Sequence, residues 1–183
     1  MLDRLAASTP APGAGSASAV VCALAAGLVE MAAGFGGDGL DAAGERATQL
    51  RARALELAET ELSAYQQVLV ALRLPQTDPE RSQRIAQARS EASQPPLEIA
   101  AIGAELAELA MRTLGACSRH LVGDVAAAAV FAEAGCRASS RLVEINLSGA
   151  DDDSRLRRAA ELARQAAAAR EQALRVSEQG AHG

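Results

Sequence analysis

The chain has no lysine and no tryptophan, so its 18 basic residues are all arginine. The missing lysine excludes a Schiff-base nucleophile and an ammonium proton donor. Aromatic residues make up only 2% of 183 residues, so any core is built from small side chains. Positive charge is in deficit: the net charge is −5 and the pI about 5.1. A chain so charged does not neutralise a run of phosphates, which excludes nucleic acid as a partner. Cysteine is scarce too. Cys22, Cys117 and Cys136 show no CxxC spacing, so neither a disulfide framework nor a zinc site is expected. Cys22 and Cys136 read instead as small core residues, and free thiols favour the cytoplasm.

What is present is alanine and helical periodicity. Hydrophobic residues reach 49% and charged residues 22%, the balance of a folded domain rather than a disordered one. No strand pattern and no internal repeat is seen. The reading is all-α: an antiparallel up-and-down bundle of five to six helices, forming one domain over residues 1–178 with a loose tail at 179–183. Alanine-rich helices bury little area each, so a second copy is expected to complete the core as a homodimer.

The most informative stretch is 8–35, STPAPGAGSASAVVCALAAGLVEMAAGF. Pro10, Pro12, Gly13 and Gly15 form a breaker cluster ahead of a helix predicted over 16–34. Ser16 is placed to cap that helix. The glycines leave the backbone bare, and a helix start offers unpaired N–H groups to an anion or carbonyl. The run is long enough for a membrane span. Its alanine and glycine content, Glu30, and the acidic Asp3 and prolines before it argue against a span or signal.

After a turn at Gly34–Gly39, a second helix is expected over 41–73. Leu50, Ala54, Leu57, Glu61, Tyr65, Val68 and Leu72 follow a three–four spacing, so Glu61 is a carboxylate in an otherwise apolar or aromatic seam. A charge there is either paired or functional. A further helix from about Pro79 must break at Pro95-Pro96. Residues 97–115 place Ile99, Ile102, Leu106 and Leu109 inward and Glu98, Glu105, Glu108 and Arg112 outward. A loop at 116–123 leads to a helix over 124–146, with Val125, Ala129, Ala132, Cys136 and Val143 inward and Gly149 as its stop. Asp151, Asp152 and Asp153 open the last helix, 151–178, whose seam is read as Leu156, Ala160, Ala163, Ala167 and Leu174.

Thr9-Pro10-Ala11-Pro12-Gly13-Ala14-Gly15-Ser16, followed by Leu28-Val29-Glu30-Met31, resembles the opening of the folate cyclodeaminase/cyclohydrolase family. That family includes the C-terminal domain of formiminotransferase-cyclodeaminase and stand-alone methenyltetrahydrofolate cyclohydrolases. The resemblance continues in order: Glu61-Leu62-Ser63-Ala64-Tyr65, Leu74-Pro75, Glu80 with Arg84, Pro96, Gly123-Asp124, and Leu142-Val143-Glu144-Ile145-Asn146-Leu147. The pattern is departed from in four places. Ala14 stands where a glycine is usual, Leu142 and Ser118 stand where asparagines are usual, and Phe35–Leu40 lacks a basic residue.

The resemblance implies hydrolysis of 5,10-methenyltetrahydrofolate, or closure of 5-formiminotetrahydrofolate with loss of ammonia. Neither needs a metal or cofactor. Both pass through a tetrahedral carbon and need a proton shuttle. Asp124 and Glu61 are then the catalytic candidates, against the plainer readings of a helix cap for Asp124 and a buried ion pair for Glu61. Gly13, Ala14, Gly15 and Ser16 would present backbone N–H groups to the folate, with Tyr65 and Asn146 beside it. Asn146 could equally cap its own helix. His120 is expected on the surface, and Glu30 is expected to pair with an arginine of a neighbouring helix. The competing reading, motivated by the departures, is a family-fold protein that has lost catalysis and acts as a binding or scaffold subunit.

Overall fold

The computed structural model describes residues 2–9, 12–36 and 39–181, and within these every regular element is helical. The elements are α1 (Leu2–Ala6), α2 (Ala14–Gly34), α3 (Asp41–Leu72), α4 (Arg81–Ala92), α5 (Gln94–Leu114), a single 3-10 turn (Arg119–Leu121), α6 (Val122–Asn146) and α7 (Ser154–Ala181). Pro10 of the breaker cluster, the adjacent Ala11, and part of the Phe35–Leu40 segment lie outside the described residues.

Helix α2 is central because it is apolar on nearly every side. It packs against α3, α5 and α6. By length and composition it could cross a membrane, yet half of that span is buried among its neighbours. Small residues let those neighbours come close. A Cβ on Gly135 of α6 would lie 2.5 Å from Cys22 Sγ on α2, and one on Gly103 of α5 would lie 2.7 Å from the Ala132 carbonyl on α6. The core is accordingly alanine filled in by Leu57, Ile99, Leu106, Val29, Val125 and Val143. Cys22 and Cys136 are buried core residues with free thiols; burial pushes them up to about 12 and about 11, which keeps both protonated and inert.

Pro95 and Pro96 sit at the first positions of α5, where a missing N–H costs nothing, and α4 stops at Ala92. Gly149, at φ +90°, turns the chain between α6 and α7. The Asp153 carboxylate accepts the Arg155 N–H at the start of α7. The outward glutamates of α5 reach across to α3: Glu105 pairs with Arg46 and Glu98 with Arg53. Glu30 pairs with Arg51 of α3, at 2.8 Å, and His120 is exposed.

Three local expectations are corrected. Ser16 does not cap α2; the cap residue is Gly13 and the helix starts two residues earlier than predicted. Asp124 does not cap α6 either, because Arg119–Leu121 already winds into it and Leu121 takes the cap position. The buried stripe of α7 is Ala159, Leu162, Ala166, Ala169 and Ala173, with Ala160 exposed. Alanine occupies so many positions of α7 that its periodicity alone does not fix the inward face. The helix ends at Ala181, and the last two residues of the expected tail lie outside the described residues.

Candidate active site

The start of α2, the middle of α3 and the end of α6 enclose a cavity of about 250 Å³. Gly13, Ala14 and Gly15 line it from α2, Glu61 and Tyr65 from α3, and Leu142, Ile145 and Asn146 from α6. Glu61 and Tyr65 are four apart, so one helical face carries both. Ile145 and Asn146 repeat that logic on α6, three and four residues after Leu142.

Glu61 brings the one carboxyl among the residues that line this cavity. Its carboxyl packs directly over Gly15: a Cβ there would lie 2.3 Å from Glu61 Cδ and Oε1. The Ser16 hydroxyl donates to the Ala58 carbonyl at 2.8 Å and to Glu61 Oε2 at 3.2 Å. One proton thus serves two acceptors, with the shorter contact to Ala58. The Ser16 backbone N–H also donates to Glu61. No cation pairs with Glu61 among the described residues. Burial therefore outweighs the two Ser16 hydrogen bonds, and the Glu61 carboxyl is held above the usual carboxylate range. A protonated Glu61 turns the Ser16 contact round and donates to its oxygen. A carboxyl held in this way is more easily protonated than one in water.

The other polar groups are arranged around it. Asn146 does not cap α6; its amide donates to the Ala92 carbonyl at 2.9 Å, tying the end of α6 to the end of α4. Asn146 also lines the cavity. Tyr65 is half-buried and its hydroxyl has no partner among the described residues. At the α2 start, Ser16 N–H is taken by Glu61 and Ala17 N–H by the Gly13 carbonyl, which leaves only the earlier N–H groups to a ligand. Gly15 therefore makes room for Glu61 rather than for a ligand against bare backbone.

Asp124 does not join this group. It lies in the first turn of α6 and Asn146 at its last residue, about 33 Å apart at 1.5 Å per residue. The expected meeting of Asp124 and Glu61 at one reacting carbon is not formed within the chain. Asp124→Asn should accordingly leave turnover within about twofold of wild type, a result steady-state kinetics would read directly.

Sequence reasoning missed Ile145 as a lining residue, although its place between Leu142 and Asn146 on the helix turn signalled it. It could not see the Ser16–Glu61 link, which joins positions 45 apart. The departure at Leu142 does fall in the cavity wall, where it replaces a polar side chain with an apolar one. The departure at Ala14 is harmless: no non-glycine residue among those described has positive φ, so alanine carries no strain there. Ala14→Gly should therefore leave ligand affinity unchanged and lower stability by about 0.5–1 kcal/mol, measurable by denaturant melts.

Comparison with known proteins decides the family. The family model for formiminotransferase-cyclodeaminase matches residues 1–168. The chain belongs to this family. A methenyltetrahydrofolate cyclohydrolase from Methylorubrum extorquens is 29% identical over 164 residues, which span 82% of this chain and 79% of that protein. The crystal structure of a formiminotetrahydrofolate cyclodeaminase from Thermotoga maritima superposes with a TM-score of 0.81, covering 98% of this chain and 92% of that one at 22% identity. Family membership thus agrees with the ordered motifs, and the structural likeness shows that the all-helical fold is shared.

Proposed function

We propose that this protein is a one-carbon tetrahydrofolate enzyme that hydrolyses 5,10-methenyltetrahydrofolate or closes 5-formiminotetrahydrofolate with release of ammonia. The observation that carries the reading is Glu61: a carboxyl without a cationic partner, raised in pKa, in a cavity at a helix start of a family-matched chain. In the hydrolysis, water adds to the methenyl carbon and loses one proton. The bond from that carbon to N5 then breaks and N5 takes a proton up. Ionised Glu61 accepts the first proton and, protonated, supplies the second, while the hydroxyl proton of the tetrahedral carbon leaves to water as the formyl C=O forms. In the ring closure, N10 adds to the formimino carbon and gives up its proton, and the leaving nitrogen must be protonated before ammonia departs. The same carboxyl serves both steps. Tyr65 offers a flat face and a hydroxyl to the pterin, and Asn146 an amide oxygen to its N–H edge.

The bundle is read as up-and-down and antiparallel, since its helices follow one another through short connections. A homodimer is supported by Leu24 and Met31, exposed on α2, and Phe35, exposed just past its end. Ile145 is both exposed and part of the cavity wall, so the cleft opens to the surface there. Three free cysteines fit a reducing, cytoplasmic setting. The apolar wall at Leu142 favours the second reading, a binding or scaffold subunit that no longer turns over substrate. Absorbance of methenyltetrahydrofolate mixed with pure protein separates the two: its loss above the uncatalysed rate supports the enzyme, and binding without loss supports the subunit.

A further inference from the structure

The Glu61 cavity, at about 250 Å³, is smaller than the roughly 300–1,000 Å³ that buries a drug-sized ligand. It accommodates a flat bicyclic group, not a whole folate. The rest of the molecule, an aminobenzoyl ring and a glutamyl group with two carboxylates, must continue outside it. The exit is marked by Asn146. This residue lines both the Glu61 cavity and a second one of about 490 Å³, formed between α4 and the turn from α6 to α7.

The second cavity is suited to an anion. One face of α4 presents Ser82, Arg89 and Ser90 to it, and the turn adds Ser148. Arg89 is half-buried and has no ion-pair partner among the described residues. Its neighbour Arg155 is already engaged, donating to the Ser90 carbonyl and hydroxyl, the Ser93 hydroxyl and the Asp153 carboxylate. Asp153 also lines the cavity, but Arg155 neutralises it and holds its carboxyl down at about 2. The remaining uncompensated charge at this cavity is the Arg89 guanidinium, whose fork of N–H donors matches a carboxylate.

We infer that the second cavity is the subsite for the glutamyl tail of the folate, with Arg89 binding its carboxylate. The inference rests on the folate reading above and names where the acidic end of that substrate lies. The α4 helix, tied to α6 through Asn146 and Ala92, then sets the register between the reacting end and the tail.

Equilibrium binding tests this without requiring turnover. The probes are tetrahydrofolate and tetrahydropteroate, which lacks the glutamyl group. Wild-type protein should bind tetrahydrofolate roughly tenfold more tightly, the worth of one charge-assisted carboxylate contact. Arg89→Gln should abolish most of that preference by weakening tetrahydrofolate alone, with tetrahydropteroate affinity and the circular-dichroism melt unchanged. The same preference in Arg89→Gln as in wild type overturns the inference, as does wild-type protein with no preference. Failure of the wild type to bind either compound overturns the folate reading itself, and the subsite with it.

Discussion

Glu61→Gln lowers turnover of the folate substrate by about 10²–10⁴-fold while stabilising the fold at neutral pH. Both effects come from one cause. Burial holds the Glu61 carboxyl above its ordinary value of 4.5, against hydrogen bonds from Ser16 that only partly compensate. In the unfolded chain the group ionises at its ordinary value. Between that value and the raised one, the folded state therefore carries more protons than the unfolded state, and stability falls as pH rises. Above the raised value the loss is complete. Glutamine keeps the shape and the acceptor oxygen but never ionises. The variant should match wild type below about pH 4, gain on it as pH rises through the shifted range, and hold a constant advantage above. Thermal melts across pH 3–8 read this directly. The pH–rate profile of wild type should carry an inflection above the ordinary carboxylate range that the variant lacks. Unaltered turnover in Glu61→Gln, or a stability difference that ignores pH, would refute the proton-shuttle role.

That combination, less activity with more stability, distinguishes a functional carboxyl from a structural one. Glu30 supplies the contrast within the same fold. It is paired with Arg51, and the hydrogen bond lowers its pKa rather than raising it. Glu133 is likewise bridged to Arg137 on its own helix. Glu61, the one carboxylate among the residues lining its cavity, has no such cation, and burial without that partner raises its pKa where pairing lowers that of Glu30.

The helix order, the break at Pro95-Pro96 and the Gly149 turn were legible because proline and glycine act through local backbone rules. The position of Glu61 on an apolar face was legible for the same reason, since a three–four spacing fixes a face without tertiary knowledge. The inward face of α7 was not, because alanine on several sides leaves the period ambiguous. The role of Ser16 was misread in an instructive way. A serine just after a glycine-rich turn satisfies the capping rule locally, but the helix begins earlier and turns its hydroxyl toward Ala58 and Glu61. Asp124 met the same local rule and lies at the far end of α6. Local pattern identifies helices and faces; which end of a long helix meets which neighbour depends on packing across the bundle.

Gly15→Ala gives the sharpest separation between fold and function. The added Cβ would lie 2.3 Å from Glu61 Cδ and Oε1 and 2.5 Å from its Cγ, closer than atoms in contact can stand. Something must move, and the obstacle is the far end of a flexible side chain rather than backbone. Glu61 can therefore swing away at small cost to the helices. Alanine is also the better helix residue by about 1 kcal/mol, which offsets the lost packing. Stability should stay within about 1 kcal/mol of wild type on these grounds. Turnover should fall by about 10²-fold or more, because the displaced carboxyl no longer sits in the cavity. Once out in solvent, Glu61 should titrate in the ordinary range, so the pH dependence of stability attributed to it disappears. The double variant Gly15→Ala/Glu61→Gln should be no slower than the slower single variant, since both remove the same group from the same place. If Gly15→Ala retains wild-type turnover, Glu61 does not act from its position over Gly15. If instead the two losses multiply, glycine at this position serves the ligand directly, and the backbone at the start of α2 contributes to binding independently of the carboxyl packed above it.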